Sequence, residues 1–148
     1  MMLINAAIFS QSKKNDIAID ALPQDVRQVL DNYLEILSDS KDINVCGKSF
    51  FEIAGGNLLN PTGTGLRDDL KAYSLKRDFD DVKFYKIPAV ITRINKTDGY
   101  SGYKETFIEG DIYKIWIAKK SDTAGLPAPI SIIKTNEGQI KIINIGSL

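Results

Sequence analysis

The stretch IEGDIYKIWIAKK, residues 108–120, carries the only tryptophan of the chain and predicts the long central strand of a β-sheet. Successive side chains of a strand point to opposite faces, so Ile112 and Trp116 share one face, whereas Ile115 and Ile117 share the other. A strand with one solvated face would alternate between apolar and polar residues. Apolar side chains of both parities therefore predict that both faces of this strand are covered.

A second long strand is predicted before this stretch, in residues 82–96. Within it, Pro88 indicates an edge position or a bulge, because proline cannot donate to a β-ladder. The glycine-containing residues 97–102 predict the turn into the central strand, which then spans residues 103–120. Gly110 predicts a bulge in that strand, since glycine accommodates the extra residue at low cost. The two strands should pair as an antiparallel hairpin.

Two further strands are predicted after a loop at residues 121–129. Residues 130–135 and 140–147 are rich in isoleucine, and the sequence NEG at residues 136–138 is typical of the glycine turn of a hairpin. The carboxyl-terminal half of the chain therefore predicts an antiparallel meander of about four strands.

Three helical segments are predicted before the strands. Apolar residues recur every three or four positions in residues 20–38, where Pro23 suits the first turn of a helix. A shorter helix is predicted for residues 46–54, ended by the glycine pair that follows it. A third helical stripe is predicted in residues 66–73. Three helices followed by about four strands predict a single α+β domain over residues 1–148.

The glycine-rich sequence NPTGTG, residues 60–65, does not predict a phosphate site. It lacks the spacing of both phosphate-binding glycine motifs, and it follows a helix rather than a strand. We interpret it as a flexible turn into the next helix.

The residue types that the chain lacks exclude several classes of site. With no histidine, it cannot form a Ser-His-Asp or Cys-His catalytic centre or a histidine-ligated zinc site. Its single cysteine, Cys46, cannot form an intrachain disulfide, and we interpret it as a small buried residue that begins the second helix. Nineteen basic and nineteen acidic residues give zero net charge, which disfavours nucleic acid as a partner. We expect no cofactor, no metal and no membrane span.

The amino-terminal sequence MMLINAAIFSQSKK, residues 1–14, allows two interpretations. Its apolar patch resembles the tail of a secretory signal, but the basic region and the usual length of a signal are missing. If a longer signal has been truncated, the protein is exported. Otherwise residues 3–9 form an ordered strand within the amino-terminal segment 1–19, and we expect a cytoplasmic protein.

The order of these elements resembles the nuclear transport factor 2-like superfamily, in which a bent sheet wraps around helices as a cystatin-like α+β cone. The resemblance covers residues 20–148 and is most specific in residues 126–148, LPAPISIIKTNEGQIKIINIGSL, which are similar to the family's terminal hairpin. It implies a pocket between the helices and the sheet. The family includes isomerases, dehydratases, small-molecule carriers and binding domains, so the resemblance implies no single activity.

A pocket of that kind would be lined by polar side chains of the long strands. A ketosteroid-isomerase-like member would use a carboxylate base and a tyrosine donor, and Asp111 with Tyr113 has suitable residue types. The competing interpretation is that Glu105, Glu109 and Asp111 are solvated charges that pair with nearby lysines. The candidate pocket residues are Tyr85, Arg93, Glu105, Glu109, Asp111 and Tyr113.

Apolar residues on both faces of the last strands also predict a partner. One helical layer covers one face of a sheet, and the other face would expose an apolar patch that monomers avoid. We therefore expect a two-fold homodimer, a mode that the resemblance also implies, formed through Ile112, Trp116, Ile143 and Ile145. The alternative is that residues 3–9 fold back as a lid over this face.

Three hypotheses for the function follow. The favoured one is a non-catalytic binding domain whose pocket holds a small, largely apolar ligand. The second is an isomerase or lyase that uses a carboxylate and a tyrosine. The third is a protein-interaction module, such as an accessory or inhibitor subunit, that meets another chain through the apolar sheet face.

Overall fold

The computed structural model describes residues 14–121 and 125–148, and it confirms the α+β class. Within these residues, three α-helices pack on one antiparallel sheet of five strands, in the order β1-β2-β3-β4-β5. Residues 3–9, for which we predicted a strand or a lid, lie outside the described residues. The helices are α1 (Gln24–Asp39), α2 (Ile43–Phe51) and α3 (Ser74–Asp81), and the strands are β1 (Asp16–Ile17), β2 (Ile91–Ser101), β3 (Ile108–Ile117), β4 (Ala128–Thr135) and β5 (Ile140–Asn144).

The helix predicted in residues 20–38 is present as α1, but it begins later. Residues Ile19–Ala21 form a separate 3-10 turn. The carbonyl of Pro23 accepts the first helical bond, from the backbone N–H of Arg27 at 3.0 Å, so the proline precedes the helix. The predicted apolar stripe is buried, as the spacing requires. Its buried residues are Val26, Leu30, Tyr33, Leu34 and Leu37.

The second helix begins three residues before the predicted start at Cys46. The side chain of Asp42 accepts a hydrogen bond from the backbone N–H of Val45 at 2.9 Å, and this cap defines the beginning of α2. The chain leaves the helix after Phe51 because residues 53–55 pair with the edge of β5. The N–H of Ile142 donates to the carbonyl of Ile53 at 2.7 Å. Backbone pairing with the sheet therefore ends α2 at Phe51, before the predicted end at residue 54.

The prediction of a helix in residues 66–73 was wrong. Leu66 forms an isolated antiparallel bridge with Leu59, and the N–H of Arg67 donates to the carbonyl of Leu58 at 2.9 Å. These bonds to the segment just before it hold residues 66–73 in turns, and the helix α3 begins only at Ser74. Hydrogen bonds to the preceding segment thus outweigh the helical pattern.

The strand predicted in residues 82–96 begins later, and the turn predicted in residues 97–102 belongs to it. Residues 82–84 form a 3-10 turn, and Pro88 follows a cis peptide bond before the strand. The segment still pairs with the chain after β3, since Tyr85 forms an isolated antiparallel bridge with Lys119 and the N–H of Ala118 donates to the carbonyl of Val90 at 2.8 Å. Between these contacts the ladder is interrupted, because Ala89 bonds to α1 through both backbone groups. Its N–H donates to Asp31 at 2.8 Å, and its carbonyl accepts from Arg27 at 2.7 Å.

Gly110 does not form the predicted bulge. It pairs in regular register with Gly99 on β2 and Thr135 on β4. A Cβ atom at this position would lie 2.2 Å from the carbonyl oxygen of Lys134, so glycine here permits a close approach between strands. The register shifts instead between Ile91 and Arg93 and between Ser131 and Ile132.

The core lies between the helices and one face of the sheet, which we call the helix face. Ile115 and Ile117 are fully buried there, as the central stretch predicts, and Tyr33 packs on Phe50 with ring centroids 5.0 Å apart. Ile145 is also part of this core, which differs from its predicted place beside Ile143 on the other face. The reason is the register shift next to Ser131, because one extra residue reverses the parity that follows it.

A buried carboxylate fastens the last residues to this core. Asp78 on α3 is fully buried and accepts three hydrogen bonds, from the Tyr33 hydroxyl at 2.7 Å and from the N–H groups of Gly146 and Leu148 at 3.0 Å each. Burial raises the pKa of Asp78 above its usual range, although the three donors act in the opposite direction. The carboxylate therefore connects α1, α3 and the segment after β5.

We expect this raised pKa to appear in the pH dependence of stability. The folded protein binds the Asp78 proton more tightly than the unfolded chain, so this group lowers the unfolding free energy as pH rises from 3.8 through its folded pKa. The stability difference between the wild type and Asp78→Asn should then increase in favour of the wild type on acidification. Urea denaturation of both proteins between about pH 7 and pH 4 measures it. A stability difference that does not change with pH would contradict the raised pKa of Asp78.

Candidate binding surface

The second face of the sheet points away from the three helices and presents a mixed set of side chains. We call it the outer face. Directly paired residues place Arg93, Trp116 and Pro129 in one row across β2, β3 and β4. The next row contains Asn95, Lys114 and Ser131. The prediction that Ile112 and Trp116 lie opposite Ile115 and Ile117 is confirmed.

Trp116 is half-buried and flanked by two cations. The guanidinium carbon of Arg93 lies 4.3 Å from the centre of the indole ring, and the ammonium of Lys114 lies 5.1 Å from it. Such cation–π contacts stabilise partly exposed pairs by about 0.5–1 kcal/mol. The arrangement fixes the tryptophan ring on the surface of a rigid sheet, where it can contact a partner without a large loss of side-chain entropy.

Strand β1 holds Arg93 in this position. The Arg93 Nε donates to both carboxylate oxygens of Asp16 at 3.1 Å, and Asn95 donates to the Lys14 carbonyl at 2.9 Å. Asp16 faces the outer side because it pairs directly with Asn95. The two-residue strand β1 thus orients the cation that covers Trp116.

The charge of the outer face is positive. Its strands contribute three cations, Arg93, Lys114 and Lys141, whereas Asp16 is the single carboxylate that the described strands place there. Lys141 is engaged, since its ammonium donates to the carbonyl of Glu52 at 2.9 Å. Arg93 is paired with Asp16, so Lys114, which has no ion pair among the described residues, supplies the positive charge beside Trp116. The surface around Trp116 therefore suits a negatively charged partner, although the chain as a whole is neutral.

The residues predicted to line a pocket do not converge in one place. Arg93 lies on the outer face, whereas Tyr113 is buried on the helix face, and burial raises the pKa of its hydroxyl. Asp111 forms an ion pair with Lys96 at 3.7 Å and is partly exposed, as the solvated-charge interpretation expects.

The other candidate pocket residues lie apart from these. Glu105 is exposed in the β2–β3 connection, and Glu109 is exposed near the start of β3. Tyr85 is buried before β2, and its hydroxyl has no hydrogen-bond partner within the described part of the chain. Asp111, Tyr113 and Tyr85 thus do not form a set around a common substrate position.

The space between the helices and the sheet is occupied by core side chains, and the described concavities open at the surface. One of them borders the outer face, with a volume of about 410 Å³. Its apolar residues include Ile112 and Ile143, and its polar residues include Asn57, Ser101 and Ser131. This cleft extends the outer face away from Trp116 and adds hydrogen-bonding groups to it.

Several kinds of chemistry find no support in the described ranges, 14–121 and 125–148. They contain no cluster of three histidine, cysteine or acidic residues that could hold a metal ion, and no helix long and apolar enough to cross a bilayer. Cys46 is buried, as predicted, and burial raises the pKa of its thiol to about 11, which keeps it protonated and unreactive at neutral pH.

The sequence placed Trp116 on the face expected to meet a partner, but it did not predict the cations around this residue. Lys114 could have been found, because residues two apart on a strand share a face. Arg93 required the register between β2 and β3, which the predicted strand boundaries placed wrongly. Comparison of the chain with protein-family models, with characterised proteins and with solved structures finds no match.

Proposed function

We propose that the protein is a non-catalytic binding domain that recognises an acidic partner protein through its outer face. The observation that carries this proposal is Trp116, held half-exposed between Arg93 and Lys114 on a sheet face that the helices leave open. Tryptophan and arginine are the residue types that most often dominate the energy of protein interfaces. The aromatic ring supplies apolar contact area, and the cations select carboxylates on the partner.

The predicted homodimer is a less favourable use of the same face. A two-fold axis through Trp116 would place the Arg93 and Lys114 of one copy against the same residues of the other copy. Like charges facing each other at an interface cost free energy. A different chain with carboxylates opposite these cations avoids that cost, so we favour the hypothesis of an accessory or inhibitor module.

The proposals that rest on a nuclear transport factor 2-like pocket have less support. A small apolar ligand between helices and sheet would have to displace buried residues such as Tyr33, Phe50 and Ile115. An isomerase would need Asp111 and Tyr113 around a substrate, but the carboxylate is ion-paired and the tyrosine is buried in the core. The outer face requires no such rearrangement.

We expect Trp116→Ala to weaken partner binding by about 30-fold, which corresponds to about 2 kcal/mol for the loss of a central aromatic contact. Partners are first captured on the immobilised wild-type protein, and the dissociation constant of each purified candidate is then measured by calorimetry. Lys114→Glu should also weaken binding and reduce its dependence on salt, because it reverses one charge of the surface. Lys114 is exposed, so this change leaves the core intact.

Tyr73→Ala provides the matched control, since Tyr73 is 72% exposed and lies before α3, away from the outer face. This variant should bind each partner like the wild type. The proposal fails if the purified partner binds Trp116→Ala and Lys114→Glu with wild-type affinity. A dimer mass in light scattering that becomes a monomer mass in Trp116→Ala would instead identify a second copy as the occupant.

A further inference from the structure

A second concavity, on the helical side of the molecule, has a composition that differs from the outer face. It lies between α2 and residues 65–71 and encloses about 720 Å³, within the range of small-molecule sites. We call it the lysine groove, and its principal residues are Gly47, Lys48, Phe51, Leu66 and Lys71. We propose that the lysine groove binds a small organic anion that carries an apolar chain or ring.

The floor of the groove is apolar. Phe51 and Leu66 are half-buried, and Gly47 between them is buried without a side chain. A Cβ atom at Gly47 would lie 2.9 Å from Cδ of Lys71 and 3.8 Å from Cδ1 of Leu66. Because this atom is absent, the alkyl stem of Lys71 lies directly against the backbone of α2. This stem and the two apolar side chains give the apolar part of a ligand a surface to cover.

The rim of the groove is positively charged. Lys48 and Lys71 are exposed, and neither forms an ion pair with any residue that the structure describes. Arg67 is fixed at one side by its bonds to Asp69 at 2.6 Å and to the carbonyl of Asn57 at 2.8 Å. Asp68 is the single carboxylate among the groove residues. Two unpaired ammonium groups above an apolar floor match an amphipathic anion.

Gly47 is an unfavourable residue for its position in the helix. It lies at the centre of the nine-residue α2, where glycine is less favourable than alanine by about 1 kcal/mol. A residue that is unfavourable for the local secondary structure often marks a functional position. Its close contact with the alkyl stem of Lys71 offers a structural explanation, but that contact also directs the lysine along the groove. Measuring ligand binding by variants of Gly47 distinguishes this structural explanation from a functional one.

Three probes separate the charged and the apolar contributions. Octanoate carries both features, octanol carries only the chain, and acetate carries only the charge. We expect octanoate to bind at least tenfold more tightly than either of the other two, because the groove contacts both parts of the molecule. Octyl phosphate tests whether a phosphate can replace the carboxylate. Binding is measured by calorimetry, and the location by amide shifts of Gly47 and Leu66 in NMR spectra.

Variants of the groove then test its residues. Lys48→Gln combined with Lys71→Gln should weaken octanoate binding about tenfold, because both charge-assisted contacts are lost. Gly47→Leu should weaken it similarly by filling the floor. Gly47→Ala displaces only the flexible end of Lys71 and improves helix propensity, so its Tm should not fall. Because its Cβ atom shifts the side chain of Lys71, we expect Gly47→Ala to weaken octanoate binding without unfolding α2.

Lys86→Gln is the matched control, because Lys86 is exposed, lies outside the groove and loses the same charge. It should bind octanoate within twofold of the wild type. Equal affinity of octanoate and octanol, shifts outside the groove, or equal loss in the control and the groove variants would each overturn the proposal. These outcomes are distinguishable from partner binding at Trp116, since neither Trp116 nor the cations Arg93 and Lys114 beside it line the groove.

Discussion

Replacing Asp78 with alanine is expected to lower the free energy of unfolding by about 3 kcal/mol. The substitution removes the acceptor of three hydrogen bonds and leaves the hydroxyl of Tyr33 and the N–H groups of Gly146 and Leu148 without their partner. A buried donor left without a partner costs about 1–3 kcal/mol. Part of the loss is offset, because the variant no longer buries a carboxylate whose raised pKa reflects desolvation.

Two further variants show whether this loss comes from the hydrogen bonds. Tyr33→Phe removes one donor and keeps the ring packed on Phe50, so it should lower the unfolding free energy by about 1.5 kcal/mol. Asp80→Ala on the same helix removes an exposed carboxylate, which pairs with Lys76, and should change stability by less than about 0.5 kcal/mol. Urea denaturation gives all three values. Similar losses for Asp78→Ala and Asp80→Ala would disprove the structural role of Asp78.

The role of Asp78 could not be predicted from the sequence. It lies in the run RDFDD, which has the composition of a solvated helix face. Its partners are 45 residues earlier and 68 and 70 residues later in the chain. Local patterns describe which residues face a core, but they do not describe which distant donors a buried carboxylate meets. The three-dimensional structure is needed for that.

The elements predicted correctly are those whose pattern depends on burial alone. Helix α1 follows its apolar stripe, and the faces of Ile115 and Trp116 follow strand parity. The errors arise where hydrogen bonds to another segment of the chain decide the conformation. The bridge between Leu59 and Leu66 replaces a helix, and a register shift beside Ser131 moves Ile145 into the core.

At the candidate binding surface, too, the local pattern was predictable and the contacts between strands were not. Trp116 was assigned with Ile112 to the face that a second copy would cover, because their spacing is even, which is a local property. The cation above it comes from another strand, and its place depends on pairing Arg93 with Trp116 and on the bond from Arg93 to Asp16. The sequence therefore predicted an apolar surface, whereas the structure shows a mixed one in which two cations flank Trp116.

Replacing Gly102 with alanine is expected to lower the unfolding free energy by about 3 kcal/mol, because two costs combine. Gly102 has φ +86°, which costs a residue with a side chain about 1 kcal/mol. Its Cβ atom would also lie 2.2 Å from the carbonyl oxygen of Thr106, a backbone atom that cannot move independently. The turn is held by hydrogen bonds between Tyr103 and Thr106, so relief of the contact would break them.

Gly138→Ala separates these two costs. Gly138 has nearly the same conformation, φ +89°, but no atom lies within 4 Å of its Cβ position. Gly138→Ala should therefore lower the unfolding free energy by only about 1 kcal/mol, and the difference between the two variants measures the cost of the contact with Thr106. Urea denaturation provides both values. Equal losses of unfolding free energy in the two variants would mean that the turn at residues 102–106 relaxes freely. The hairpin between β2 and β3, which carries Arg93 and Trp116, would then be less rigid at its end than its hydrogen bonds indicate.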